Sequence, residues 1–158
     1  MIIDSHCHLT YEPMSKALNE TIDRASRDGV KYILTISTED KSFDKILKIV
    51  DEYKSVFGTY GIHPHEAKSH QNIKSDDIIK KVNQNKKIIG IGETGLDFYY
   101  NHSEKKDQIN SFEEHISAAQ KKNLPLIVHT RSAENDTYEI LQKYLIKKDL
   151  KILIHCFT

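Results

Sequence analysis

Histidine is the residue whose number and positions could support chemistry in this 158-residue chain, which contains nine histidines. In two pairs the histidines are separated by a single residue: His6 with His8, and His63 with His65. Along an extended strand such a pair points both imidazoles to the same side, because side chains alternate in direction. Paired imidazoles offer the nitrogen ligands that divalent transition metals prefer. The spacing therefore indicates a metal site.

A carboxylate and two further histidines fit the same site. Glu93 could bridge two ions, and a pair of ions bridged by a carboxylate suits hydrolytic attack on phosphorus or on a carbonyl carbon. His129 and His155 each come directly after an apolar run, as a ligand at the end of a buried strand would. We therefore predict a two-metal hydrolytic centre with Glu93 as its catalytic carboxylate.

The elements that would position these residues form a regular alternation. We predict strands at 2–4, 32–36, 56–62, 87–91, 125–128 and 151–154, and helices at 14–27, 41–53, 75–82, 105–122 and 135–145. Strict alternation predicts an α/β fold with a parallel sheet and right-handed crossovers. A doubly wound open sheet and a (β/α) barrel both fit. No glycine-rich phosphate-binding motif follows the first strand, which disfavours a dinucleotide-binding open sheet.

The candidate ligands share one position relative to the strands. Each follows the carboxyl end of a predicted strand: His6 and His8 the first, His63 and His65 the third, Glu93 the fourth, His129 the fifth and His155 the sixth. In a parallel barrel those ends converge on one face, where such enzymes place their chemistry. Only three histidines fall in predicted helices or loops, and they are His70, His102 and His115.

Each of these residues also has a purely structural interpretation. A single buried histidine usually completes a hydrogen-bond network in the core. Asp4 could accept hydrogen bonds at a strand end, Asp97 could accept them in a turn after Gly95, Glu93 could cap the following turn, and Arg131 could be a surface charge. The joint pattern favours the functional interpretation, since packing alone would not collect so many ligands at strand ends.

Composition limits the partners. Lysine and arginine together number 23, and so do aspartate and glutamate, which gives zero formal charge. That balance is not typical of a protein that holds nucleic acid by a basic surface, so an anionic substrate would need positive charge from bound metal. The sequence shows no signal peptide and no long apolar run, which predicts a cytoplasmic protein without membrane contact. Cys7 and Cys156 are predicted to be reduced, small and buried.

Five segments together resemble the TatD family of metal-dependent deoxyribonucleases. They are DSHCH at 4–8, GIHPH at 61–65, GETGLD at 92–97, HTR at 129–131 and HCFT at 155–158. The first motif occurs throughout the metal-dependent amidohydrolase superfamily, whereas the third is more specific. Connecting residues such as Gln108 and Phe112 also match, so the resemblance covers essentially the whole chain.

The resemblance implies a (β/α)₈ barrel that hydrolyses phosphodiester bonds of DNA with two divalent ions, Zn²⁺, Mn²⁺ or Mg²⁺. It implies that His6 and His8 hold one ion, that His129 and His155 hold the other, and that Glu93 bridges the two. By the same resemblance, the residues that would meet the substrate phosphate are His63, His65 and Arg131.

Two departures from the family pattern matter. Thr94 stands where isoleucine or valine is usual, and only about six of the eight β/α units are present. We therefore expect residues 1–158 to be the N-terminal part of a single barrel domain, without a late aspartate that the family uses at the first metal. Unpaired edges at the first and sixth strands predict association with a complementary chain or with a second copy. We expect weak or no activity from this chain alone.

Two other functions remain open. One is another hydrolase of the amidohydrolase superfamily, acting on an amide, a lactone or a phosphotriester. Several of those enzymes bridge their metals with a carboxylated lysine on the fourth strand, and Glu93 at that place favours the TatD-like function. The other is a non-catalytic remnant that binds metal weakly.

Overall fold

The structure, a computed structural model, describes residues 1–100, 102–146 and 148–155. The strands are β1 (Ile2–Cys7), β2 (Val30–Thr35), β3 (Val56–Tyr60), β4 (Ile88–Asp97), β5 (Leu126–Arg131) and β6 (Ile152–His155). The α-helices are α1 (Leu18–Arg27), α2 (Asp40–Glu52), α3 (Ser75–Val82), α4 (Lys105–Lys122) and α5 (Glu134–Leu145). Short 3-10 helices occupy Met14–Ala17 and Pro64–His70. Within these ranges no helix has both the length and the apolar character needed to cross a membrane.

The sheet is parallel and its strands follow chain order from β1 to β6. It curls into a nearly closed barrel with the helices on its outside. The curl brings the first and last strands to the same site, where the ring of His6 in β1 stacks on the ring of His155 in β6 with centroids 3.5 Å apart. The predicted (β/α) barrel with six units is confirmed.

The core lies between the strands and the outer helices. Phe43 and Ile46 of α2 and Phe112 and Ile116 of α4 are fully buried. Burying a side chain of this kind contributes about 1.5–3 kcal/mol, so these positions hold the helices against the sheet. Helix α2 lies so close to β3 that a Cβ added at Gly58 would come within 2.7 Å of the Ile46 side chain.

Three strands continue well past their predicted carboxyl ends, and the extra residues carry the site. Strand β1 continues to Cys7, β4 to Asp97 and β5 to Arg131. The prediction ended β4 at Ile91, before Gly92. Here Gly92 and Gly95 adopt φ angles of 128° and 135° inside the strand. His6, Glu93 and His129 therefore lie within strands rather than after them.

The inner face of the sheet is apolar at the end away from the histidines. A Cβ added at Gly58 would face helix α2. Because side chains alternate along a strand, the neighbouring Phe57 points to the opposite, inner side. Phe57 lines an apolar cleft of about 360 Å³ together with Ile3, Tyr32 and Ile89. Ile3 and Tyr32 remain 54% and 46% exposed, which is unusual for large apolar side chains at the centre of a barrel.

Gly95 sets the distance between β4 and β5. It pairs with His129 across the ladder, and an added Cβ would lie 2.0 Å from the His129 carbonyl oxygen, which belongs to the backbone and cannot rotate away. Its φ of 135° is also strained for any other residue.

We predict that Gly95→Ala lowers the free energy of unfolding by about 3 kcal/mol or more, because steric overlap adds to backbone strain. The matched control is Gly29→Ala. Gly29 has a φ of 92° but nothing within 4 Å of the added Cβ, so only the backbone cost of about 1–2 kcal/mol applies. Urea denaturation of both variants measures the difference. Equal losses would show that the close approach at Gly95 does not constrain the strands.

Candidate metal centre

Glu93 lies at the centre of the histidine cluster and is only 3% exposed. Its Oε2 is 3.3 Å from Nε2 of His6 and 3.9 Å from Nε2 of His8. Its Oε1 is 3.2 Å from Nδ1 of His129 and 4.0 Å from Nε2 of His63. Burial alone would raise the pKa of Glu93, but the contacts with His129 and His6 hold it well below its ordinary value. The carboxylate is therefore ionised.

The two carboxylate oxygens of Glu93 face two different groups of possible metal ligands. Within each group the ligand atoms lie no more than 4.8 Å apart: His6, His8 and Glu93 form one group, and His63, Glu93 and His129 form the other. Both ring nitrogens of His6 and Nδ1 of His8 are buried without a hydrogen-bond partner in the described residues. Unpaired buried nitrogens beside an ionised carboxylate are the donor set that a divalent transition metal takes, so the residues fit such an ion.

Both ring nitrogens of His129 face carboxylates. Nδ1 donates to Oε1 of Glu93 and Nε2 donates to Oδ2 of Asp97, each over 3.2 Å. Burial works against protonation, yet these two carboxylates raise the pKa of His129 above its ordinary value. A proton on Nδ1 thus occupies the place beside Glu93 that a metal ion would take. Binding of an ion would release it.

His63 is close enough to be a ligand, but its hydrogen bonding favours another role. The Nδ1 atom of His63 accepts the backbone N–H of His65 at 3.2 Å, so the neutral ring carries its hydrogen on Nε2. Burial lowers the pKa of His63 to about 3, which keeps the ring neutral at pH 7. Nε2 is then a donor that points toward the cleft. A donor suits a substrate oxygen better than a cation.

His155, the sequence-predicted ligand of the second ion, lines the same cleft but belongs to neither ligand group of the described residues. Its ring lies flat on that of His6, with an interplanar angle of 8°. Its role as a metal ligand stays a prediction. The rest of the sixth motif, Cys156 to Thr158, lies outside the described residues, and so does the prediction made for Cys156.

Asp97 is the site residue that the sequence left undecided, and it has both of the roles considered for it. Its Oδ1 accepts the backbone N–H groups of Tyr99 and Tyr100, as a turn acceptor does. Its Oδ2 accepts from Nε2 of His65 at 2.8 Å and from Nε2 of His129. One buried carboxylate therefore fixes the loop after β4 and orients two histidines of the site.

His65 reaches the cluster in a way that the sequence did not predict. The segment after His63 is a 3-10 helix rather than an extended chain. The alternation of side chains along a strand therefore does not set the direction of the His65 ring. The hydrogen bond to Asp97 does so instead, and Ser103 accepts the Lys68 N–H while donating to the His65 carbonyl oxygen.

His115 is a further residue that sequence reasoning missed, because it falls in a helix. It is fully buried in α4, where Nδ1 donates to the Ser111 carbonyl and Nε2 accepts the N–H of Ile62. This contact fixes the backbone just before His63. Burial lowers the pKa of His115 to about 4. A signal was present, since the apolar positions Phe112, Ile116 and Ala119 place His115 on the same inward face of α4.

Arg131 lies at the end of β5 with an exposed side chain. Its guanidinium carbon is 4.2 Å from the centroid of the Tyr99 ring and 4.7 Å from that of Tyr100. Its predicted role at the substrate phosphate stays a prediction.

Two further residues of the first motif, Asp4 and Cys7, are structural. Asp4 accepts the backbone N–H of His6, which holds the strand that carries the histidine pair. Cys7 points away from the cluster, packs on the core and donates to the Leu34 carbonyl. Burial raises the pKa of its thiol to about 12, so it is an inert side chain, as its alternation with the histidines predicts.

The cluster opens into a cleft of about 370 Å³. Besides the histidines and Glu93, its walls contain Tyr11, Thr38, Glu39 and Glu66. No lysine or arginine lines it among the residues that the structure describes. An anionic group in this cleft would therefore depend on a cation held at Glu93.

One known protein family matches nearly the whole chain. The family described as TatD related DNase matches residues 3–158. This chain belongs to the TatD family. Members of this family with similar sequences are described as metal-dependent hydrolases, and a divalent metal is accordingly supported for the TatD-family centre around Glu93.

Two relatives and one solved structure show the extent of the similarity. An uncharacterized metal-dependent hydrolase of Buchnera aphidicola is 37% identical, over 99% of this chain and 59% of its own length. The 3'-5' ssDNA/RNA exonuclease TatD of Shigella flexneri is 30% identical, over 99% of this chain and 60% of its own. A hydrolase TatD family protein from Entamoeba histolytica superposes with a TM-score of 0.86 at 26% identity, over 99% of this chain and 58% of that one. The chain thus spans about three fifths of these TatD-family relatives.

We predict that Asp97→Asn lowers the affinity of the centre for Mn²⁺ or Zn²⁺ by roughly 10–100-fold, because it removes the charge that orients His129. The asparagine carbonyl can still accept from Tyr99 and Tyr100, so the loop is retained. Isothermal titration calorimetry measures the affinity. Asp107→Asn, at a half-buried position of α4 outside the cleft lining, is the matched control and should bind metal like the unmodified chain. An Asp97→Asn affinity within twofold of the unmodified chain would contradict the orienting role.

We predict that the metal-free chain loses stability as pH falls from about 6.5 to about 4, partly through His115. In the folded state His115 stays neutral down to about pH 4, whereas an unfolded histidine takes up its proton near pH 6.5. Between these values the unfolded state binds more protons, so acid favours unfolding, by about 2–3 kcal/mol for this group.

Urea denaturation in EDTA at pH 7 and pH 4.5 checks this. The loss should be smaller in His115→Gln, whose amide oxygen can still accept the Ile62 N–H. It should be unchanged in the control His102→Gln, which alters an exposed side chain. The same loss in His115→Gln as in the unmodified chain would exclude His115 as a source of the pH dependence.

Proposed function

We propose that this chain hydrolyses phosphodiester bonds of DNA, with two divalent cations held on either side of Glu93. The observation that carries the proposal is the division of the Glu93 carboxylate. One oxygen faces His6 and His8 and the other faces His129, so two ions would share this carboxylate as a bridge. His155 would complete the second site, as the sequence predicts. When bound, such a pair of ions polarises a phosphoryl oxygen and activates water for in-line attack.

Three residues of the chain, His63, His65 and Arg131, would contact the substrate. The His63 Nε2–H donor faces the cleft and would hold a phosphate oxygen, which fits its neutral state. His65 is fixed by Asp97 on the same wall, and Arg131 lies beyond it with its guanidinium near the tyrosines. Glu39 and Glu66 repel an anion that is not matched by bound cations, so placing a phosphate at the Glu93 centre would depend on metal.

DNA is proposed as the substrate on two grounds. The family is described as a DNase family, and a relative is described as a 3'-5' ssDNA/RNA exonuclease. The cleft supports a phosphodiester because its histidines surround the Glu93 carboxylate that would bridge two cations. A carbonyl substrate would instead favour an apolar pocket.

We also propose that residues 1–158 are the N-terminal part of a single (β/α)₈ barrel. The chain spans 59% and 60% of the length of two relatives. Two further strands would cover the half-exposed inner side chains of Ile3 and Tyr32, which six strands leave open.

Hydrolysis by the chain is tested with fluorescently end-labelled single-stranded DNA, with protein in excess and with Mg²⁺, Mn²⁺ or Zn²⁺. We expect slow, metal-dependent shortening of the DNA that stops in EDTA. Glu93→Gln should reduce the rate by roughly 100-fold or more, because it removes the bridging charge of the centre. The control is Glu139→Gln, which alters an exposed glutamate of α5 and should not change the rate.

Calorimetric metal binding without any hydrolysis would instead identify a non-catalytic member of the family. Equal rates in Glu93→Gln and Glu139→Gln would show that the activity comes from a contaminating nuclease.

A further inference from the structure

Two exposed tyrosines and one arginine lie together beside the metal centre. Tyr99 and Tyr100 directly follow β4 and are 59% and 41% exposed. Arg131 packs its guanidinium on both rings. Among the described residues no carboxylate forms a salt bridge with Arg131. We call Tyr99, Tyr100 and Arg131 the tyrosine–arginine platform.

The platform is exposed but held in place. Asp97 Oδ1 accepts the backbone N–H of both tyrosines at 3.0 Å. Gln108, only 2% exposed, accepts the Asp97 N–H and donates to the Asp97 carbonyl, so the base of the loop is fixed from α4. The two tyrosine rings meet edge to face with centroids 4.8 Å apart. Rigid, exposed aromatic rings are a costly use of apolar surface unless they bind something.

The platform adjoins the centre without being part of it. The Tyr100 ring is 5.5 Å from the ring of His65, which shares the Asp97 carboxylate with His129. Tyr11, 44% exposed, lines the cleft itself and stacks on His8 with an interplanar angle of 13°. Aromatic rings therefore lie beside two histidines of the cluster, His8 and His65.

We propose that the tyrosine–arginine platform stacks an unpaired nucleobase of a single-stranded nucleic acid whose phosphate lies at the Glu93 centre. The position of the phosphate rests on the proposed function. The stacking rests on the platform itself, because aromatic faces and arginine planes bind bases of any sequence. The chain has zero formal charge and no lysine or arginine in the described cleft lining, so stacking would supply affinity that backbone electrostatics cannot. In a duplex the bases stack on one another and are not available.

The test measures binding rather than hydrolysis, so it stands apart from the proposed function. The probes are fluorescein-labelled oligothymidylate, an abasic phosphate chain of the same length, and a blunt duplex. Fluorescence anisotropy in EDTA gives their affinities for the unmodified chain. We expect oligothymidylate to bind roughly 5–100-fold more tightly than either other probe. Equal affinity for oligothymidylate and the abasic chain, or no measurable binding of oligothymidylate, would overturn the proposal.

Variants then assign the stacking to the platform. Tyr99→Leu and Tyr100→Leu should each weaken oligothymidylate binding by roughly 5–100-fold and leave the weak binding of the abasic chain unchanged. Tyr99→Phe keeps the ring and should bind like the unmodified chain. Tyr138→Leu alters a tyrosine of α5 that is 64% exposed and outside the cleft, and is the matched control. Equal loss for both probes, or loss in Tyr138→Leu as large as in Tyr99→Leu, would refute the platform.

The two proposals can fail separately. Stacking without metal-dependent hydrolysis would support the platform and contradict the proposed nuclease function. Hydrolysis of abasic and normal DNA at the same rate, with equal affinity for both, would leave the nuclease function and remove the platform.

Discussion

The burial of one carboxylate charge is the constraint on which this structure depends. Glu93 is ionised while only 3% exposed, and an isolated charge in such a place would cost many kcal/mol. Histidines from the loop after β3 and from β1 and β5 offset that cost from both sides of the carboxylate. Because these segments are far apart in sequence, the charge is tolerated only when the barrel is formed. The fold and the candidate site therefore stabilise each other.

The carboxylate reaches the centre because three glycines, Gly61, Gly92 and Gly95, let the backbone segments around it approach closely. A Cβ at Gly61 would lie 2.3 Å from the Cα of Gly92, and one at Gly95 would strike the His129 carbonyl. These contacts let β3, β4 and β5 approach more closely than side chains would allow. The GETGLD segment is thus a packing motif as much as a chemical one, and its glycines decide where Glu93 and His129 meet.

Much of this arrangement could be predicted from the sequence, because two periodicities carry the information. Alternation of strand and helix gives the parallel α/β sheet, and the resemblance to the TatD family implies that the sheet closes as a barrel. Alternation along a strand places His6 and His8 on one side and Cys7 on the other. Three predicted strands, β1, β4 and β5, ended too early, because their last residues are polar or glycine and break the apolar run from which the strands were predicted. The course of the chain after His63 could not be predicted, because a 3-10 helix leaves no clear periodic pattern.

Partners that depend on three-dimensional contacts were the hardest to predict. Asp97 could be a turn acceptor or a site residue by sequence, and the fold makes it both, because only the folded chain brings His65 and His129 to its second oxygen. His115 belonged to a helix and was not connected with the site. Its contact with Ile62 spans 53 positions of sequence, and no local pattern reports a contact of that range.

The position of Asp97 links the two ends of the cleft. One of its oxygens orients His129 beside Glu93, and the other holds the loop that presents Tyr99 and Tyr100. A carboxylate shared in this way cannot move toward one side without loosening the other. The distance between the metal centre and the tyrosine–arginine platform is therefore set by a single buried side chain rather than by a flexible loop. If a base stacks on the platform, Asp97 fixes how far from that base the phosphate lies, and so which bond of the strand reaches Glu93.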